Sequence, residues 1–162
     1  MEAARRAGPA DAGTIALLAR EGVAELRPNR GGQIWSLREA HAEPIEPVVD
    51  SFLDGSDDRR FAVMGTIDDT PVGYALMTIE TLHDGALVAM VSDLYVDPGA
   101  RRVGVGEAMM DLLIAEATAA GAIGIDALAL PGDRDTKNFF ETFGLTARAL
   151  LVHRALPGGQ AS

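Results

Sequence analysis

Between residues 61 and 96 apolar positions crowd into three runs, 61–67, 72–82 and 87–96, all rich in strand-forming residues. The links between them, Asp68-Asp69-Thr70-Pro71 and His83-Asp84-Gly85, are short enough to predict an antiparallel meander. Downstream the spacing changes. Ala108, Met109, Leu112 and Leu113 share one face of a helix that ends near Gly121. Residues 123–130 read as a buried strand closed by Pro131-Gly132, 134–143 as a short helix stopped by Gly144, and 146–155 as a last strand. Upstream, 2–7 read as a short edge strand, and Asp11 caps a helix that carries Ile15, Leu18 and Leu26 as far as Pro28. Residues 28–60 carry the weakest pattern. Asn29-Arg30-Gly31-Gly32 is a loop, Pro44 and Pro47 punctuate a helical stretch through Val48, Val49, Phe52 and Leu53, and 54–58 is a solvated turn.

Strands followed by alternating helix and strand predict an α+β (mixed α/β) domain with helices on both faces of the sheet. No repeat, linker or low-complexity block divides the 162 residues, so a single domain is expected over 1–156, with 157–162 a disordered tail.

Composition narrows the chemistry. There is no cysteine, which removes disulfides, thiolate metal sites and a cysteine nucleophile. His41, His83 and His153 lie too far apart in sequence for a local metal-ligand pair; His83 reads as a turn residue and His153 as a strand residue. Fourteen basic against 24 acidic residues give a formal charge of −10, which argues against nucleic acid as a partner. No apolar run reaches the ~18 residues of a membrane span, and Asp11 interrupts any signal-peptide core after Arg5-Arg6, so a cytoplasmic protein without a membrane partner is expected.

The densest chemical signal is the stretch 92–107, where a strand runs out through Asp97-Pro98-Gly99 into a glycine-containing loop and a helix start. First-turn N–H groups lack partners and the helix dipole adds positive charge, so such a loop binds anions. Gly104 and Gly106 let the backbone wrap a phosphate closely, and Arg101 and Arg102 add charge. It is not a P-loop, because Gly106-Glu107-Ala108 stands where Gly-Lys-Ser/Thr is needed. Nor is it a dinucleotide fingerprint, because Met109 replaces the third glycine.

Arg101-x-x-Gly104-x-Gly106, preceded by Leu94-Tyr95-Val96-Asp97-Pro98, resembles the acetyl-coenzyme A pyrophosphate loop of the GNAT superfamily of N-acetyltransferases. Asp133, Thr136, Phe139-Phe140-Glu141 and Gly144-Leu145 fall at the spacings of that family's second motif, one helix and one strand later. The resemblance implies a central, mostly antiparallel sheet of six to seven strands. It also implies acetyl transfer from acetyl-coenzyme A to a primary amine, on a small molecule or a protein, by direct attack in a ternary complex. A non-catalytic acyl-coenzyme A binding or sensor domain is the alternative. By the same resemblance Leu94, Tyr95 and Val96 would bind the pantetheine arm, and Arg101, Arg102, Val103, Gly104, Val105, Gly106 and Glu107 the pyrophosphate. Asp133, Thr136, Lys137 and Phe140 would flank the cofactor, Lys137 being equally well a solvated helix charge.

Two departures bear on mechanism. Phe140 stands where the family usually has the tyrosine that protonates the departing thiolate, leaving Tyr95 or Tyr74 as substitutes or as plain strand residues. The carboxylate that the family commonly carries earlier on the thioester strand is Met90 or Ser92 here. Asp93 and Glu80 are the candidate bases, Asp93 being equally open to a bond with nearby backbone. Strict alternation along the strand allows only one of Ser92 and Asp93 to face the cleft. Trp35 either lines the acceptor pocket or packs its helix, and Glu39, Glu43 and Glu46 in the same region favour a cationic acceptor. The oligomeric state is open, a homodimer being the commonest assembly.

Overall fold

A computed structural model describes residues 1–158. The apolar runs form β2 (Arg60–Ile67), β3 (Thr70–Thr81) and β4 (Leu87–Val96), each antiparallel to the next. Two residues, Asp68 and Asp69, link β2 to β3 with φ of 48° and 68°. Positive φ at both central positions gives a turn whose twist matches the strands it joins, and aspartate tolerates that conformation better than most residues. β1 (Glu2–Arg6) pairs with β2 on the outside, antiparallel. β5 (Ala122–Ala127) lies parallel to β4 and is reached over α4 (Val105–Ala119), giving the order β1-β2-β3-β4-β5.

Side chains alternate across the two central strands and bury both faces. Ala62, Met64, Tyr74 and Leu76 meet Ile15, Leu18 and Ala19 of α1 (Ala12–Leu26) and Val49, Phe52 and Leu53 of α3 (Glu46–Leu53). Phe61, Val63, Ala75, Met77 and Ile79 meet Val105, Met109, Met110 and Leu113 of α4 and Phe140 of α5 (Arg134–Thr142). Burying a side chain of this size is worth roughly 1.5–3 kcal/mol, so the sheet is a firm platform for the groups at its open end. A short helix, α2 (Gly32–Arg38), fills part of the stretch the sequence left unpatterned.

The sheet has five strands, not six to seven, and one of its four pairings is parallel. The strand expected at 146–155 does not form. Arg148 Nε reaches Asp126 Oδ1 on β5 at 3.0 Å, but beyond it Leu150, Leu151 and Val152 stand 74–86% exposed. Strand propensity is a fit to a pleated, half-buried surface, and this segment packs on none. Residues 159–162 of the expected tail lie outside the described residues.

Candidate functional site

β4 and β5 pair from Leu87 opposite Ala122 to Val91 opposite Ala127, and there the pairing stops. β4 runs on to Val96 with its β5 side open, so the strands fork. On the other side the β3–β4 register slips by one. Leu76 lies opposite Asp93 and Met77 opposite Val91, which leaves Ser92 as an extra residue. Such a bulge bends the strand and re-aims its side chains. Ser92 and Asp93 consequently both line the cleft at the fork, and the expectation that alternation would admit only one of them fails here.

Asp93 is the centre of a side-chain network. Its Oδ2 accepts from the Tyr74 hydroxyl at 2.7 Å, and its Oδ1 accepts from Ser92 Oγ at 2.7 Å and lies 2.9 Å from His41 Nε2. The alternative of a bond to nearby backbone is replaced by three side-chain partners. Burial, and then the charge of Asp93, hold the Tyr74 phenol well above its ordinary value, so it remains a donor. His41 is raised above 6.5 by its bond to Asp93, against the opposing effect of its own burial. With Nε2 turned to Asp93, the other ring nitrogen has no hydrogen-bond partner among the described residues and is not buried, and His41 lines the cleft. A carboxylate that orients an imidazole and stabilises its protonated form makes a general base.

Sequence reasoning did not single out His41 as the partner of Asp93. It sits in the 28–60 stretch, in the loop after α2, and its partner is 52 residues away in the chain. The readable signal was Asp93 itself, a carboxylate in the middle of an apolar strand. Glu80 is displaced from the role. It lies opposite Val88 near the far end of β3, exposed, and the cleft is not lined by it. Glu43 and Glu46 share Arg20, at 2.8 Å each, and Glu39 pairs with Arg38 at 3.3 Å; none of the three is among the residues that line the cleft.

The α4 N-terminus lies beside the open end of β4. The first helical bond there runs from Ala108 N–H to Gly104 O at 3.0 Å, and among the described residues no side chain caps the N–H groups of Val105, Gly106 and Glu107 before it. Gly104 has φ 99°, a conformation that strains any other residue, and a Cβ on Gly106 would lie 3.2 Å from the Phe139 ring. Arg102 also takes a positive φ, 65°, and its exposed guanidinium is 3.6 Å from Asp135. Arg101 turns away from this loop. Its Nε donates to Val96 O at 2.8 Å, Nη2 bonds both oxygens of Glu25, and the guanidinium lies over the Tyr95 ring. The charge it was expected to lend is thus paired with Glu25, and the donors at the helix start itself are main-chain N–H groups.

Leu94 and Tyr95 line the cleft along the unpaired edge of β4, with Val96 buried beyond them. Asp133 caps α5, accepting from Thr136 Oγ1 at 2.6 Å, and it also lines the cleft with Phe140. Phe140 is 7% exposed and offers only a ring. Lys137 pairs with Glu141 at 3.3 Å on the solvent side of α5.

One acidic group sits against the anion loop. The side-chain carbons of Glu2 lie 3.7–4.0 Å from where a Gly104 Cβ would project. Glu2→Gln is expected to tighten the binding of a diphosphate-containing ligand about two- to five-fold at low salt, an effect that shrinks as salt is added. Calorimetry at two ionic strengths checks this.

The sequence model of the acetyltransferase (GNAT) family matches residues 29–145. Among solved structures, a tetramutant of the BH1408 protein from Bacillus halodurans superposes with TM-score 0.77 at 16% identity, over 94% of this chain and 99% of that one. A ribosomal-protein-alanine N-acetyltransferase from Brucella melitensis biovar Abortus gives 0.66 at 18%, over 96% and 99%. An aminoglycoside acetyltransferase from an uncultured soil metagenomic sample, in complex with sisomicin, gives 0.70 at 18%, over 96% and 95%. At these identities the likeness is one of fold. No curated protein matches the sequence significantly.

Proposed function

The chain belongs to the acetyltransferase (GNAT) family, and from that premise we propose that it transfers an acetyl group from acetyl-coenzyme A to a primary amine by direct attack, with His41 as the general base. The observation that carries this reading is the His41–Asp93 pair in the cleft where β4 and β5 part.

The uncapped N–H groups at Val105, Gly106 and Glu107 fit a pyrophosphate, and the open edge of β4 at 92–96 fits an extended amide-bearing arm added like a strand. When bound, acetyl-coenzyme A supplies the acetyl carbon: its C–S bond breaks as the new N–C bond forms, and the thiolate leaves with the electron pair. The chain's own contribution is proton handling. An ammonium of pKa near 10 must lose a proton before it can attack, and the free nitrogen of His41 takes it. Asp93, fixed by Tyr74 and Ser92, stabilises the imidazolium so formed. Phe140 has no proton to give, and the Tyr74 hydroxyl is already committed to Asp93. A thiolate of pKa about 8.5 leaves without a dedicated acid, taking its proton from water.

This assignment fixes a pH dependence. Only neutral His41 is a base, so kcat/KM is expected to rise with pH through an inflection above 6.5, the ordinary histidine value. Asp93→Asn removes the group that raises His41 and leaves burial and the charge of Arg60, both of which lower it. Relative to wild type with the same amine, the inflection moves to lower pH and the plateau falls. Stability follows the same linkage. A histidine raised in the folded state contributes stability that is complete below about pH 6.5 and is lost as pH climbs through the raised value. Asp93→Asn should therefore flatten the pH dependence of the melting temperature between pH 6 and 8. An inflection that stays in place in Asp93→Asn would assign the titration to another group.

No helix among the described residues is long and apolar enough to cross a membrane.

A further inference from the structure

The acceptor side of the cleft is apolar and carries no spare charge. Val23 and Leu26 of α1, Trp35 of α2 and Ile45 line it across from His41. Of these, Val23, Leu26 and Trp35 belong to neither core cluster; they are half-buried apolar side chains that line the cleft. Among the described residues, no lysine or arginine lines the cleft. The nearby guanidinium of Arg101 is held by Glu25, and that of Arg27 turns to Ser36 Oγ at 3.4 Å. The two carboxylates that do line it are also engaged, Asp93 by three side chains and Asp133 by Thr136.

We infer that the acceptor is an apolar monoamine, a primary amine on an alkyl or aryl body with no second charged group. This deepens the transferase reading and rests on it. An acceptor carrying a carboxylate finds no cation to meet it, and desolvating an unpaired charge is costly. A polyamine finds no free carboxylate for its second ammonium. An alkyl or aryl body, by contrast, covers Leu26 and Trp35 and removes apolar surface from water on both sides. Each added methylene should then raise kcat/KM about three- to four-fold until the apolar wall is filled.

The test is a matched series assayed by release of coenzyme A thiol from acetyl-coenzyme A. Propylamine through hexylamine give the chain-length slope, and benzylamine and phenethylamine the aryl arm. The six-carbon set of hexylamine, 6-aminohexanoate and 1,6-diaminohexane varies only the far-end charge. The expected result is a rising slope, with both charged analogues at least about ten-fold below hexylamine. Trp35→Ala should flatten the slope. Leu26→Glu, which supplies the missing carboxylate without emptying a core position, should shift the ratio of diamine to hexylamine at least about ten-fold toward the diamine. A flat slope, or a wild-type preference for the diamine or the amino acid, overturns the inference while the transferase reading stands. Absence of thiol release with every amine overturns the transferase reading, and the inference falls with it.

Discussion

Replacing His41 by alanine is expected to lower kcat for amine acetylation by about 10²–10⁴ at pH 7, the usual worth of a positioned general base. The affinity for acetyl-coenzyme A should be unchanged, because His41 belongs to the loop after α2 and the anion loop to the start of α4. The loss should shrink as pH rises, since a growing fraction of the amine arrives already deprotonated and needs no base. His41 is half-buried and makes an edge contact with Phe52, 6.3 Å between ring centroids, so some stability is lost as well. His41→Gln keeps much of the volume and a hydrogen bond to Asp93 but takes up no proton. It should fold like wild type and still show the defect. Rates that survive in both variants would remove His41 from the reaction.

The second large effect is at the anion loop. Gly104→Glu is expected to weaken acetyl-coenzyme A binding by at least about 100-fold, for two separable reasons. The residue sits at φ 99°, where a side chain strains the backbone by about 1–2 kcal/mol. A carboxylate there would also face both the incoming phosphates and Glu2, and like charges brought together cost several kcal/mol. Gly104→Ala carries the strain without the charge and should retain more of the affinity. The melting temperature of both variants in the absence of ligand reports the strain alone, and calorimetry reports the sum. Equal losses in the two variants would assign the whole effect to the backbone and none to repulsion.

The meander, both long helices and the glycine loop were legible in the sequence because local signals determine them. Apolar runs of strand length, turn residues between them and a glycine before a helix leave few alternatives. The strand expected at 146–155 does not form for a related reason: its apolar run Leu150-Leu151-Val152 satisfies the pattern, but pairing depends on a surface the pattern cannot see. The site was only half legible. Gly104, Gly106 and Asp133 could be placed from spacing, since spacing is what a helix start imposes. The His41–Asp93–Tyr74 constellation joins a loop and two strands, and it depends on a bulge at Ser92 that no composition announces. One slipped residue turned an either-or between Ser92 and Asp93 into a hydrogen-bonded pair. Glu80 failed for the converse reason. It lies on β3 four residues beyond Leu76, the partner of Asp93, so along the strand it ends roughly 13 Å away.

The same geometry explains why Arg101 does not behave as an isolated motif residue. Its bond to Val96 O ties the end of β4 to the turn at Pro98–Ala100, and its pair with Glu25 links that turn to α1. It braces the strand edge from which a pantetheine arm would hang.

The most direct test of the whole reading is amine-dependent release of coenzyme A thiol from acetyl-coenzyme A by the wild-type protein, with the acetylated amine identified by mass in the same reaction. One thiol released for each amine acetylated is the predicted result. Saturable binding of acetyl-coenzyme A with no transfer to any amine would contradict it, and would make the cleft a recognition site instead of a catalytic one.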